Sequence, residues 1–202
     1  TVISELNLAR SPVGLRISVN TGCATLAELV PSISHLADDI FWFSLSPRPS
    51  LIIIGATHIA QHLTPIAVQN GFEVCVIDPR QIFVSAERFS GVKVIKEWPS
   101  EVLPKLSLDS RTALVTLTHD PKIDDSALHV ALGKSLFYVA CLGSKRTHEV
   151  RIARLIGNGL DPNQVSKILG PAGYDIGAKT PSEIAVSIMA QLIEKYRGIQ
   201  GS

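Results

Sequence analysis

The sequence predicts an α/β fold in which helices cover both faces of a doubly wound parallel sheet. Leu51–Ile54 is a continuous apolar run of strand length, typical of a strand buried on both faces of such a sheet. A helical apolar spacing begins at Ile59 and stops at Asn70-Gly71, and residues 72–77 return to a strand pattern. This unit has the length of a right-handed β-α-β crossover, about thirty residues. The predicted domain is therefore Rossmann-like, with a small β-containing N-terminal segment.

Composition and charge exclude several classes of protein. A chain of 202 residues is long enough to bury roughly 70% of its unfolded surface in one core. Its net charge is +1 and it has no long charge run, so we expect neither nucleic acid nor a membrane surface as a partner. Because no apolar stretch reaches about 18 residues and no signal peptide is evident, we expect a cytoplasmic protein.

The three cysteines are scattered along the chain. Cys75 and Cys141 lie in apolar strand runs, so we expect small buried hydrophobic residues in a reduced compartment, not a disulfide or a metal site. Cys23 follows Thr21-Gly22 and is either a reactive or ligand-binding thiol or, as is more common for a lone cysteine, an inert one.

Residues 1–46 form a small N-terminal segment or remnant domain in this interpretation. Alternation of apolar and polar residues over 15–19 predicts a half-exposed strand, and the aromatic run 41–43 predicts another. The stretch between them is predicted to be weakly helical or irregular. The two prolines within 46–49 make an extended joint, and residues 47–202 form the larger domain.

Strands and helices continue to alternate after Arg80. In chain order, the predicted elements are strand 92–95, helix 100–106, strand 112–117, helix 124–132, strand 136–142, helix 144–157, a short helix after Asp161, and a last helix from Thr180 to about Tyr196. Capping signals mark the helix starts: Ser144, Asp161 followed by proline, and Thr180 with Glu183 as a capping box.

The turn after the first buried strand reads Gly55-Ala56-Thr57-His58-Ile59-Ala60. In the dinucleotide fingerprint G-x-G-x-x-G/A, the middle glycine lets a pyrophosphate approach the backbone. Thr57 occupies that position in this chain. The Thr57 hydroxyl either donates to a phosphate or caps the helix. Asp78, 23 residues after Gly55, either binds a ribose hydroxyl or simply ends its strand. The turn alone is therefore weak evidence for NAD(P).

Polar side chains gather at the ends of consecutive strands. They are Thr57 and His58, Asp78 and Arg80, Thr118, His119 and Asp120, and Ser144, Lys145 and Arg146. In a doubly wound sheet, ligands bind outside the carboxyl ends of the strands, so we expect one crevice for an anionic, nucleotide-sized ligand. Helix starts after Gly55 and Gly143 would meet phosphates together with Lys145 and Arg146. Alternatively, these two cations are ordinary surface residues, although they oppose the helix dipole.

The loop 170–179 is rich in glycine and contains a proline, which indicates special backbone angles. Asp175 is either held there to face a ligand or a metal, or the loop merely connects two helices.

Several motifs together resemble the Rossmann domain of the xanthine dehydrogenase accessory factor (XdhC/CoxI) family. Over about residues 48–197 they occur in order and with compatible gaps: Gly55-Ala56-x-His58, Asp78-x-Arg80, Glu87-Arg88-Phe89, Thr118-His119-Asp120-Pro121-x-x-Asp124, Gly143-Ser144-Lys145-Arg146, Pro171-x-Gly173-x-Asp175-Ile176-Gly177-Ala178 and Thr180-Pro181-x-Glu183-Ile184-Ala185.

This resemblance implies an accessory protein that binds the molybdenum cofactor, as molybdopterin or its dinucleotide form. It also implies support of cofactor sulfuration with a cysteine desulfurase, delivery to a molybdenum hydroxylase apoenzyme of the xanthine dehydrogenase type, and a homodimer. The contacts that it implies are Gly55, His58, Asp78, Arg80, His119, Asp120, Ser144, Arg146, Asp175 and Gly177, and the predicted site also includes Thr57, Gly143 and Lys145.

Two other functions stay open at the level of sequence. One is an NAD(P)-dependent oxidoreductase, against which Thr57 argues, and the other is a non-catalytic interaction module on a degenerate Rossmann scaffold. His58 or His119 could act as a general acid or base, although a histidine in such a loop is more often structural. The sequence assigns no catalytic residue, and the resemblance favours a cofactor-binding accessory protein over a free-standing enzyme.

Overall fold

Two sheets form in the computed structural model, which describes residues 12–27, 34–80 and 87–200. The chain divides into two units: Thr1–Arg48 with Gln200–Ser202, and Pro49–Ile199. Each unit contains one of the sheets.

The smaller unit is an antiparallel sheet of β1 (Val13–Ser18), β2 (Ala24–Leu26), β3 (His35–Ala37) and β4 (Ile40–Leu45), in the order β2-β1-β4-β3. β1 and β4 confirm the two predicted strands.

A weakly helical or irregular stretch is predicted between β1 and β4, and this prediction is wrong for the residues that form β2 and β3. Residues 28–33 of the same stretch lie outside the described part of the chain. Both strands are three residues long and exposed, so they show no apolar alternation and form only by pairing with their neighbours. Asp38 and Asp39, at φ angles of 49° and 60°, make the tight turn between β3 and β4 that such hairpins need.

The larger unit contains a parallel sheet of β5 (Ser50–Ile54), β6 (Glu73–Ile77), β7 (Lys93–Ile95), β8 (Thr112–Thr116) and β9 (Tyr138–Cys141). The strand order is β7-β6-β5-β8-β9, which confirms the predicted doubly wound sheet. The strand order reverses between β5 and β8, so this is the point at which such folds bind ligands.

Helices cover both faces of this sheet, as predicted. They are α1 (His58–Gln69), α2 (Pro99–Val102) with a 3₁₀ turn (Leu103–Lys105), α3 (Pro121–Ala131), α4 (Lys145–Gly157), α5 (Pro162–Val165) and α6 (Pro181–Gln200). α1 and α6 pack on one face, and α2 to α5 pack on the other. A continuous apolar strand such as β5 is stable only with cover of this kind.

Capping side chains begin the helices at the predicted positions. Glu183 Oε2 accepts the Thr180 N–H at 2.9 Å, which completes the capping box of α6. Ser144 and Asp161 cap α4 and α5 in the same manner. α3 begins at Pro121, three residues before the predicted start, because the fixed φ angle of proline suits the first position of a helix.

A further segment runs alongside β9. Leu169 forms a parallel bridge with Ala140, and the Ala172 N–H donates to the Cys141 carbonyl at 2.9 Å. The loop 170–179 therefore emerges at the same edge of the sheet as the loops after the strands. Among the described residues, no helix combines the length and the apolar character that crossing a bilayer requires.

Gly55 allows the turn after β5 to lie directly against the end of β8. Its φ angle is +109°, and an added Cβ would lie 2.6 Å from Thr118 Cγ2 and 3.2 Å from the Thr118 backbone nitrogen. Gly55→Ala should therefore lower the free energy of unfolding by at least about 2 kcal/mol, measured by urea titration with circular dichroism.

Gly71→Ala is the matched control. Gly71 also has a positive φ angle of +84°, but no described heavy atom lies within 4 Å of its added Cβ, so we expect a loss of only about 1 kcal/mol. Equal losses in the two variants would contradict the close contact at Gly55.

Candidate functional site

The candidate site lies along one edge of the parallel sheet. Because all strands of the larger unit run parallel, the residues that follow β5, β6, β8 and β9 come to the same edge.

Asp78 is the buried anchor of this edge. Its side chain is 0% exposed, and its carboxylate accepts the Ala56 N–H at 2.8 Å and the Arg80 N–H at 3.0 Å. Arg80 Nε and Nη2 donate to the same carboxylate at 2.9 and 2.7 Å. Burial raises the pKa of Asp78, but the hydrogen bonds from Arg80 and Ala56 outweigh it, so the pKa lies below its ordinary value. A ribose hydroxyl would have to compete with these internal donors.

Arg80 follows β6 and lies within electrostatic range of two carboxylates after β8. Its hydrogen bond to Asp78 raises the pKa of Arg80, and the charges of Asp120 and Asp124 act in the same direction. Its side chain is 32% exposed, so this guanidinium is part of the surface at the edge.

Thr57 caps α1 with its side chain, which is one of the two roles that the sequence allows. Its hydroxyl accepts the Ala60 N–H at 3.4 Å. His58 is exposed in the first turn, where its Nδ1 lies 3.2 Å from Gln61 Oε1, and Arg88 Nη2 donates to the same oxygen at 3.0 Å. Gln61 is a neighbour of the predicted site that the sequence analysis did not select.

The loop after β8 is held by a short side-chain network. Thr118 Oγ1 donates to Asp124 Oδ1 at 2.6 Å and accepts the Asp120 N–H at 2.9 Å. Asp120 in turn caps α3 through the Lys122 N–H, at 2.9 Å. His119 is exposed and has a φ angle of +61°, which is uncommon for a residue other than glycine. Backbone strain of this kind persists only where the surrounding structure holds the residue in place, and such residues cluster at ligand sites.

The loop after β9 presents two cations beside a capped helix start. Ser144 accepts the Thr147 N–H at 3.1 Å, and Gly143 adopts a φ angle of +141° in the turn. Lys145 and Arg146 are exposed in the first turn of α4.

A pocket of about 240 Å³ lies between α3 and α4, at the ends of β8 and β9. Its polar lining consists of His119, Asp124, Arg146, Thr147, Arg151 and Arg154. Two residues of the predicted site, His119 and Arg146, thus come together here. Arg151 is not among the residues predicted from the sequence. Its position four residues before the apolar Leu155 places it on the apolar face of α4, and this spacing could have identified it.

Arg151 is buried with part of its guanidinium unsatisfied. Only 3% of the residue is exposed; Nη2 donates to the Leu142 carbonyl at 3.0 Å and lies 3.9 Å from Asp124 Oδ2. Nε and Nη1 are buried and have no hydrogen-bond partner among the described residues. Arg154, in contrast, is paired with Asp125 through two bonds of 2.6 and 2.9 Å.

Asp124 is the acidic group of this pocket. Burial raises its pKa above the ordinary value, although the Thr118 hydroxyl and the charge of Arg151 act in the opposite direction. The pocket therefore contains one carboxylate, Asp124, whose ionisation is opposed by burial. This single carboxylate cannot neutralise both Arg146 and Arg151.

Other predicted residues lie apart from this pocket. Asp175 and Gly177 are exposed in the loop beyond β9, where Asp175 Oδ1 lies 3.5 Å from the Gly177 nitrogen, and neither residue lines the pocket. Burial raises the pKa of both the Cys75 and Cys141 thiols to about 11, so they stay protonated. Cys23 is exposed in the smaller unit. The part of the chain that the structure describes holds no group of three His, Cys, Asp or Glu residues suited to a metal ion.

The family model of the XdhC Rossmann domain matches residues 51–192. This chain belongs to the XdhC family. The match confirms the resemblance predicted from the motifs, and it covers both the Asp78 anchor and the pocket between α3 and α4.

Two curated relatives show the extent of the similarity. A protein of Bacillus subtilis strain 168, named as a probable xanthine dehydrogenase subunit, is 30% identical over 162 residues, which cover 80% of this chain and 47% of that protein. "Molybdenum cofactor insertion chaperone PaoD" of Escherichia coli K12 is 25% identical over 185 residues, which cover 91% of this chain and 51% of that protein. The chain thus spans about half the length of these relatives.

A solved structure shares the fold. The crystal structure described as a xanthine dehydrogenase from Bacillus halodurans superposes with a TM-score of 0.77 at 28% identity, over 98% of this chain and 63% of that one. The Rossmann domain predicted for the larger unit is therefore confirmed both by the strand order and by this relative.

Asp78→Asn should lower the free energy of unfolding by roughly 3 kcal/mol at pH 7, because it removes the charge that Arg80 and Ala56 stabilise. This loss is at the low end of the range for buried ion pairs, because Arg80 is partly exposed. Since the pKa of Asp78 is lowered on folding, its contribution is present above the unfolded pKa of about 3.9 and is lost as the pH falls through the folded pKa.

Urea titrations between pH 7 and pH 2.5 measure this effect. The difference between wild type and Asp78→Asn should shrink below about pH 4. Asp175→Asn, at an exposed carboxylate, should stay within about 0.5 kcal/mol of wild type. A deficit of Asp78→Asn that is constant over the whole range would contradict the ionised role of Asp78.

Proposed function

We propose that this protein binds the molybdenum cofactor, as molybdopterin or its dinucleotide form, and delivers it to a molybdenum hydroxylase of the xanthine dehydrogenase type. Membership of the XdhC family and relatives named as a cofactor insertion chaperone and a probable xanthine dehydrogenase component support an accessory role of this kind. The observation that carries the proposal is the polar edge of the sheet, where the loops after β5, β6, β8 and β9 meet beside a cationic pocket.

The residues at this edge fit the cofactor. The molybdenum cofactor carries a phosphate, and the dinucleotide form carries a second one, so the cofactor requires cations and helix starts. Arg146 and Arg151 provide guanidinium groups, and the unsatisfied Nε and Nη1 of Arg151 indicate a missing acceptor. The metal centre would supply the redox chemistry only after transfer to the hydroxylase.

An accessory role also agrees with the state of the thiols of buried Cys141 and partly buried Cys75. Cys75 and Cys141 are protonated, so neither is prepared as a nucleophile or a thiolate ligand. The chain's contribution is then to bind and orient the cofactor.

An NAD(P)-dependent oxidoreductase is the weaker alternative. Its pyrophosphate would need the backbone N–H groups of the turn after β5, but Ala56 N–H already donates to Asp78, and Thr57 carries a Cβ in place of the middle glycine. A pure interaction module would bind a partner enzyme without any nucleotide. Titration with NADPH, followed by its fluorescence, separates the first alternative from the proposed function.

We further propose the hydroxylase apoenzyme as the main partner, a cysteine desulfurase as the source of sulfur, and a homodimer as the assembly. The names of the relatives support the first of these. The division into an N-terminal segment of residues 1–46 and a Rossmann-like domain of residues 47–202 stays a prediction, as does the cytoplasmic location.

Expression in a host that produces the cofactor tests the proposal. Molybdenum and pterin should co-purify with the wild-type protein, measured by elemental analysis and native mass spectrometry. Arg146→Ala should reduce both contents about ten-fold or more, because it removes an exposed cation from the pocket without removing any packing.

Lys134→Ala is the matched control for charge. Lys134 is exposed between α3 and β9, at the opposite edge of the sheet, so its removal should leave the cofactor content unchanged. Wild-type protein that purifies without pterin from such a host, or equal contents in both variants, would count against the function.

A further inference from the structure

We propose that the phosphate group of the ligand binds in the pocket between α3 and α4, held by Arg151 and Arg146, and not on the glycine turn after β5. This inference deepens the proposed function, and it rests on that function only for the identity of the molecule that carries the phosphate.

The turn after β5 already contains an anion of the protein's own. Asp78 Oδ2 accepts the Ala56 N–H at 2.8 Å, and the rest of the carboxylate is occupied by Arg80. The Thr57 hydroxyl is used as the cap of α1. A phosphate at this turn would meet the negative charge of a fully buried carboxylate and would find the Ala56 N–H already in use, which is unfavourable.

The pocket between α3 and α4 contains guanidinium N–H groups that lack acceptors. Arg151 is 3% exposed, its Nη2 is bound to the Leu142 carbonyl, and its Nε and Nη1 lack partners among the described residues. Buried N–H groups of a guanidinium are rarely left unsatisfied, because the loss of their hydration is costly. Both nitrogens are closed to solvent, and Arg151 lines the pocket, so a small shift of this side chain would bring them to a ligand oxygen there. A guanidinium matches the geometry of a phosphate.

The charges around the pocket leave Arg151 only partly neutralised. Arg154 is paired with Asp125 through two hydrogen bonds, from Nε and Nη2. Asp124 uses Oδ1 to accept the Thr118 hydroxyl, and its Oδ2 lies 3.9 Å from Arg151, beyond hydrogen-bond distance. Asp124 opposes an incoming anion, but Arg146 adds a further cation at the mouth, and the start of α4 favours negative charge at the same place.

The size of the pocket selects a part of the ligand. The pocket has a volume of about 240 Å³. This is below the range of about 300 to 1,000 Å³ that holds a whole drug-sized ligand. A phosphate or diphosphate therefore fits inside, and the remainder of a cofactor would lie outside the pocket along the edge of the sheet.

Calorimetric titration with inorganic pyrophosphate tests the site without the cofactor. The wild-type protein should bind one pyrophosphate, more weakly as the salt concentration rises. Arg146→Ala and Arg151→Lys should each weaken binding about ten-fold or more, the second because lysine keeps the charge but loses the planar fork. Lys134→Ala, an exposed cation at the opposite edge, should stay within about two-fold of wild type.

Nuclear magnetic resonance identifies the place of binding. Addition of pyrophosphate should shift the Arg151 Nε–H signal and leave the Ala56 amide signal in place. A shift of Ala56 without a shift of Arg151 would overturn the inference, since the phosphate would then lie at the glycine turn. If Arg151→Lys does not fold, Arg146→Ala decides the matter, because Arg146 is exposed and its replacement leaves the core intact.

The inference and the proposed function fail in different ways. Absence of pyrophosphate binding by the wild-type protein at low salt, or unchanged affinity in Arg146→Ala, would refute the phosphate site even if molybdenum and pterin co-purify. Pyrophosphate binding that follows the expected pattern, in a protein that never carries pterin, would support the site and refute the function.

Discussion

The polar edge of the sheet in the larger unit depends on the ion pair between buried Asp78 and partly exposed Arg80. Asp78 is inaccessible to solvent, and its carboxylate joins the Ala56 N–H of the turn after β5 to the guanidinium of Arg80 after β6. A carboxylate in this position is tolerated because Ala56 and Arg80 donate hydrogen bonds to it, and removal of these donors would leave an uncompensated charge in the interior. The close contact of Gly55 with Thr118 then sets the loop after β8 against the same turn. The turns after β5 and β6 are therefore held together by the bonds that satisfy this charge.

The Asp78 pair also changes where the fold can bind an anion. In a Rossmann domain the backbone amides after the first strand normally receive the phosphates. Here an internal carboxylate occupies the Ala56 amide, and Arg151 and Arg146 lie toward the ends of β8 and β9. Under the proposed function, the fold keeps its ligand at the switch in strand order but uses guanidinium groups, instead of the glycine turn, for the phosphate. Thr57 in place of the middle glycine is then compatible with ligand binding, since no phosphate approaches the backbone there.

Features with local causes could be predicted from the sequence. The apolar run at 51–54 becomes the buried central strand, and Ser144 and the Thr180–Glu183 pair cap their helices, because each signal involves residues only a few positions apart. β2 and β3 could not be predicted, since strands of three exposed residues exist only through their partners. The predicted set of site residues grouped residues with different surroundings: Asp78 faces protein donors, His119 and Arg146 line a pocket, and Asp175 lies in an exposed loop.

The sequence by itself determined the type and order of the elements in the larger unit, its doubly wound class and its family, because periodicity, capping and motif spacing are properties of neighbouring residues. Only the tertiary structure decided what the polar side chains do. The bond between Ala56 and Asp78 spans 22 positions, and the burial of Arg151 depends on how α3 and α4 pack on the sheet. Whether a charged group faces a ligand or another part of the protein depends on such distant contacts, and no local pattern encodes them.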